Sequence, residues 1–179
     1  VAPLLDRAPA RHNLMLGLLD VLSRRPKSYQ GFALWAVRND GRVVAAALQT
    51  PPYNLVLAEP LDQAALAPLA AAIVGAGVRL PGVVGGLSEA ETFAAEWIAL
   101  VGGSTKTITR QGIYELTEVR DRGNASGAPR VATDADLELI AEWHDAFIAE
   151  AVPEFTGDLD SRARRVRSMR VRSPGHTPS

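Results

Sequence analysis

The spacing of hydrophobic residues changes several times along the chain, and each change marks an element. Leu14, Met15, Leu18, Leu19 and Leu22 recur at helical spacing, which predicts a helix over 9–24 with one apolar face. Pro26 ends it, because proline donates no N–H and its ring clashes with the preceding turn. The chain then reads as extended over 32–38 and 42–49, with Asn39-Asp40-Gly41 between the two runs. Asp-Gly between apolar runs marks a hairpin, since the tight turn needs positive φ. A short strand is predicted over 54–58, after the breaker Pro51-Pro52.

Helical spacing returns over 62–76. Leu66, Leu69, Ile73 and Val74 share a side, Asp62 is placed to cap the start, and Gly75 and Gly77 close the end. A short glycine-rich strand is predicted over 82–86. Ser88-Glu89-Ala90-Glu91 then fits a capping box, with Glu91 reaching back to the start, and Phe93, Trp97, Leu100 and Val101 continue the helix to Gly102-Gly103. Residues 105–119 read as a long strand, with Ile108, Arg110, Gly112, Tyr114 and Leu116 on one face and Thr109, Gln111, Ile113 and Glu115 on the other. Residues 120–129 are small and polar, as in a linker. A short strand over 130–132 is predicted next, then a helix capped through Thr133 and Asp136. Its apolar stripe is Leu137, Ile140, Ala141, His144, Phe147, Ile148 and Ala151, and Pro153 ends it. A further helix could begin over 158–166. This alternation of hairpin and helix predicts an α/β (α+β) fold with a mixed sheet.

Composition narrows the chemistry. The chain has 179 residues, 47% of them hydrophobic, enough for a real core. It has no cysteine, so disulfides, thiol nucleophiles and zinc–thiolate sites are excluded. The three histidines, His12, His144 and His176, have no ligand-like spacing, so no zinc or haem site is expected, while carboxylates leave magnesium open; no residue is assigned as a metal ligand. The net charge of −1 conceals two unlike parts. Residues 1–160 carry −7, while 161–179 carry six arginines and no acid. That Arg-rich tail reads as disordered, with no aromatic residue to stack on bases, so no nucleic-acid partner is expected. No apolar run is long enough to span a membrane, and the opening residues lack the pattern of a secretory leader, so a cytoplasmic protein is expected.

Three features could carry chemistry. Gly82-Val83-Val84-Gly85-Gly86 running into a helix could present amides to phosphate, but it lacks the spacing of a nucleotide-binding loop, and a tight connection is the simpler reading. Glu89, Glu91 and Glu96 fit helix capping and a solvated face. His144, between Trp143 and Phe147 in space-filling terms, reads as a half-buried packing residue. No Gly-x-Ser-x-Gly elbow is present, which leaves a serine triad without support. The residues assign no catalytic or cofactor-binding side chain.

Four segments, Arg11-His12-Asn13-Leu14, Thr50-Pro51-Pro52-Tyr53-Asn54-Leu55-Val56-Leu57, Leu80-Pro81-Gly82-Val83-Val84-Gly85 and Arg110-Gln111-Gly112-Ile113-Tyr114-Glu115-Leu116, resemble in their order the first half of two-lobed bacterial GNAT-family N-acetyltransferases. Residues 130–137 resemble the opening of the second lobe. The resemblance covers roughly 9–160 and implies a first GNAT-like lobe over 1–119, a linker over 120–129, the start of a second lobe over 130–160 and a foreign tail over 161–179. An out-of-frame ending would produce such a tail. The resemblance implies transfer of an acetyl group from acetyl-CoA to a small-molecule or peptide amine. In the family the coenzyme's pyrophosphate sits on the amides of an Arg/Gln-x-x-Gly-x-Gly/Ala loop that opens a helix. Arg79-Leu80-Pro81-Gly82-Val83-Val84 departs from that pattern at Val84 and lies in the first lobe, where the resemblance implies no cofactor; the second lobe should supply the loop but gives way to the arginine tail, so this chain is expected to be impaired or inactive and to bind acetyl-CoA weakly or not at all. The alternative is a non-catalytic interaction module, which would self-associate through the uncovered Leu137, Ile140 and Phe147 face.

Overall fold

A computed structural model of the chain describes residues 1–119 and 127–151. By internal contacts the chain divides into two compact units, Val1–Val119 and Arg120–Ser179. The linker expected over most of 120–129, the helix end at Pro153, the helix start over 158–166 and the arginine tail lie outside the described residues.

The first unit is mixed α/β. A short helix α1 (Ala2–Leu5) precedes α2 (Asn13–Arg24), and a 3-10 turn at Pro26–Ser28 leads into the sheet. Strands β1 (Ala33–Asn39) and β2 (Arg42–Gln49) form the antiparallel hairpin, with Asp40 and Gly41 both at positive φ, 47° and 76°. Strand β3 (Leu55–Leu57) adds antiparallel to β2. Helix α3 (Leu66–Gly75) then crosses over to β4 (Val83–Val84), which lies parallel to β3, and α4 (Leu87–Val101) follows. The strand order is β1-β2-β3-β4.

Two cores follow from the pleat of the middle strands. Ala45, Ala47, Leu55 and Leu57 point to one face and pack with Leu66, Leu69, Ala70 and Ile73 of α3 and with Phe93 of α4. Ala46, Leu48, Val56 and Ala58 point to the other and pack with Leu4 and Leu5 of α1 and with Met15 and Leu22 of α2. Alternate residues thus serve opposite faces, which is why 43–48 reads as a continuous apolar run. Phe93 and Trp97 stack with ring centres 6.0 Å apart, one helical turn from each other.

Several expectations are corrected. The first long helix starts at Asn13, not at 9, and residues 8–12 form turns; α1 had no sequence signal. Leu14 lies off the buried face, as do Leu100 and Val101 at the end of α4. The expected strand over 105–119 is not formed, and Ile108, Ile113, Tyr114 and Leu116 are exposed. A strand exists only by pairing, and the sheet ends on β4, which is two residues long. Gly102 and Gly103 adopt positive φ just before this segment. The short strand over 130–132 is also absent; Arg130 instead pairs with Asp136. Ser88 does not cap α4. The helix begins one residue earlier, with Gly86 at the boundary and Ser88 inside the first turn.

In the second unit, a 3-10 turn at Asp134–Asp136 leads into α5 (Leu137–Ala151). The Asp136 carboxylate accepts from the Thr133 N–H at 2.8 Å and the Thr133 hydroxyl at 2.9 Å. It also takes both arms of the Arg130 guanidinium, at 2.6 and 2.7 Å. These bonds to the charged form hold the Asp136 carboxyl well below the usual carboxylate range. No residue of α5 is buried.

Candidate functional site

The glycine segment ahead of α4 was the clearest candidate for an anion site, and its geometry decides what it can do. Gly82 lies against the Asn54 amide, where an added Cβ would sit 3.0 Å from Oδ1. Gly85 lies against Leu57, with the corresponding distance 3.1 Å. Both glycines allow β4 to close onto β3, which is the tight-connection role.

Gly86 differs. The space its side chain would take is filled by the Glu89 carboxylate, and Arg11 Nη2 would be only 2.7 Å away. Glu89, expected on a solvated face, is buried instead. It is the third residue of α4, so its side chain folds back over the positive end of the helix dipole. Its Oε1 pairs with Arg11 Nη2 at 3.3 Å, and Arg11 Nη1 pairs with Glu59 at 2.9 Å. Glu89 Oε2 has no hydrogen-bond partner. A carboxylate from the chain therefore already holds the position that an incoming phosphate would need.

Ahead of α3 the chain makes a 3-10 turn at Gln63–Ala65. Asp62 accepts from the Ala64 N–H at 2.9 Å, as its place in the sequence predicts. The approach to that helix, Ala58 to Ala65, contains no glycine that would let a phosphate reach the backbone. A carboxylate thus stands near each of these helix starts, Asp62 on the 3-10 turn ahead of α3 and Glu89 in the first turn of α4.

His12 stands beside this cluster and is buried. Its Nδ1 lies 2.8 Å from the Leu5 carbonyl, and its Nε2 accepts from the Glu59 N–H at 3.0 Å. A carbonyl can only accept and an amide N–H can only donate, so the proton sits on Nδ1 and the lone pair on Nε2. Both nitrogens are engaged, leaving none to take a substrate proton. His12 is a pin joining α1, the start of α2 and the segment after β3.

The other candidates stay apart. Glu91 is exposed and faces Arg110 at 3.8 Å. Glu96 is half-buried elsewhere on α4. His144, expected to be half-buried, is exposed and lies 3.7 Å from the adjacent Asp145. Among the described residues no cluster of three acidic or histidine side chains could hold a metal ion, and no helix is long and apolar enough to cross a membrane. Sequence spacing gave no sign that Arg11, His12, Glu59 and Glu89 meet. They are up to 78 residues apart, and only the sheet brings them together. Compared with models of known protein families, with curated proteins and with solved structures, the chain matches none.

Proposed function

We propose that residues 1–119 are a non-catalytic lobe of GNAT acetyltransferase type, in a protein whose ancestral chemistry was acetyl transfer from acetyl-CoA to an amine. The observation that carries this reading is a carboxylate near each helix start, Asp62 on the 3-10 turn ahead of α3 and Glu89 in the first turn of α4, on a sheet of antiparallel strands closed by one parallel crossover. A coenzyme pyrophosphate would meet a carboxylate at either place, and like charges in a partly buried setting repel. The lobe therefore serves as a scaffold and does not grip the cofactor. Its amine acceptor, small molecule or peptide, belongs to the same proposal. Isothermal calorimetry with acetyl-CoA tests it. The expected result is no binding tighter than about 0.1 mM. Stoichiometric binding at micromolar Kd would overturn it.

One observation favours a second reading, an interaction module. Helix α5 exposes Trp143 and Phe147 at 68% and 61%, with Leu139 and Ile140 also uncovered. Light scattering on the eluting protein separates the two. Self-association that is lost in Trp143→Ser/Phe147→Ser would favour the module, and a monomer at high concentration would count against it.

A further inference from the structure

Away from the Glu89 cluster, the first unit holds a recess of about 320 Å³ between the end of α1 and the β1–β2 hairpin. Arg7, Arg38 and Arg42 line it, together with the apolar residues Leu4, Val43 and Leu61. None of the three arginines forms an ion pair with a carboxylate among the described residues. Arg38 Nη1 donates to the Gly41 carbonyl at 3.1 Å, which fixes its direction along the hairpin end. Four of the other described arginines, Arg11, Arg24, Arg110 and Arg130, do have carboxylate partners. Among the described residues Arg25 and Arg79 also lack a carboxylate partner, so what sets Arg7, Arg38 and Arg42 apart is that all three line one recess.

The backbone is irregular beside this recess. The register of β1 and β2 shifts between Val37 and Arg38, so that Val37 faces Ala45 while Arg38 faces Val43. Val44 is the extra residue of this bulge, and its carbonyl accepts from the Leu61 N–H at 2.8 Å. A bulge bends its strand and re-aims the side chains beside it. Here it lies beside the Arg38 and Val43 pair, and the bond from Leu61 ties the segment after β3 to β2.

We propose that this recess binds the phosphoryl group of a small molecule. Guanidinium forks match phosphate oxygens in pairs, and three of them suit a charge of two or more better than a single carboxylate. The apolar lining residues would take a ring or short chain attached to the phosphate. Among the described residues, the nearest acids along the chain, Asp6 and Asp40, form no ion pair with any of the three. The site is independent of the acetyltransferase reading, since it uses none of the residues at the starts of α3 and α4.

The test is NMR titration of the full chain with inorganic pyrophosphate, and separately with ADP. Saturable shifts are expected at residues 7 and 38–43, with Kd near 1 mM, and none at 86–89. Tighter binding of ADP would identify a nucleotide-like source, and equal binding a free phosphate. Arg38→Ala/Arg42→Ala is expected to weaken binding at least about tenfold, whereas Arg25→Ala/Lys27→Ala on another surface should leave it unchanged. Arg38→Lys/Arg42→Lys, which keeps the charge but loses the fork, should fall between. Absence of saturable shifts in the unsubstituted chain, or equal loss with the Arg25/Lys27 variant, would overturn the proposal. Shifts centred on 86–89 would do so as well, and those alone would bear on the acetyltransferase reading.

Discussion

At the scale of single residues, two side chains hold the first unit together where its layers meet. His12→Ala would leave the Leu5 carbonyl and the Glu59 N–H without partners beside a buried ring-shaped gap. A loss of about 2–4 kcal/mol is expected in urea unfolding, and a loss below about 1 kcal/mol would mean that water replaces the ring. Arg11→Ala leaves Glu89 with a buried charge and no counter-ion. Because Arg11 is half-exposed, part of that charge is screened by solvent, and about 1–3 kcal/mol is expected. Glu89→Gln placed in that background should recover stability, since the amide needs no counter-ion. A double variant less stable than Arg11→Ala would contradict this account. Neither role was legible in the sequence. Arg11 and His12 lie in a turn before α2, Glu89 lies on an ordinary helical pattern, and only tertiary contact sets their partners.

At the scale of elements, helix interiors were legible and strand pairing was legible only where it was local. Leu66, Leu69 and Ile73 point inward as their spacing predicts, and Asp40-Gly41 turns the hairpin as expected. The segment over 105–119 has the alternation of a strand but no ladder, because alternation reports what a segment tolerates and not whether an edge is there to receive it. Burial separates the helices in the same way. Leu69→Ala is expected to cost about 2–5 kcal/mol, whereas Leu100→Ala, on the exposed end of α4, should stay within about 0.5 kcal/mol. Equal losses would mean that the last turn of α4 is covered. For α5, the Arg130–Asp136 pair makes a pH prediction. Asp136 titrates below its unfolded value, so its stabilising contribution is complete above pH about 4 and is lost progressively as pH falls from there through the folded value. Carboxyl-carbon NMR should show Asp136 titrating below the other aspartates, and Arg130→Ala should move it back toward them. An unmoved midpoint would place the cause in Thr133 alone.

At the scale of the whole molecule, both cores draw, among the described residues, only on residues before Gly102. Residues 1–119 expressed alone should therefore unfold in one cooperative transition, with a midpoint within a few degrees of the full chain's first transition by calorimetry. Non-cooperative melting of that fragment would mean that the remaining sixty residues supply part of its core. The fold class was legible because alternating periods report layers. The candidate site was less so, since Arg11, His12 and Glu59 meet beside Glu89 from distant parts of the chain.

The alanine run in β2 has a consequence for how this protein tolerates change. Ala45, Ala46 and Ala47 form the thinnest stretch of the sheet, with a helical layer resting on each side. A methyl group added at Ala46 would press only on α1 and α2, and one added at Ala45 or Ala47 only on α3 and α4. Neighbouring codons thus control opposite halves of the lobe, and a bulkier side chain on one face would leave the other face's packing as it was.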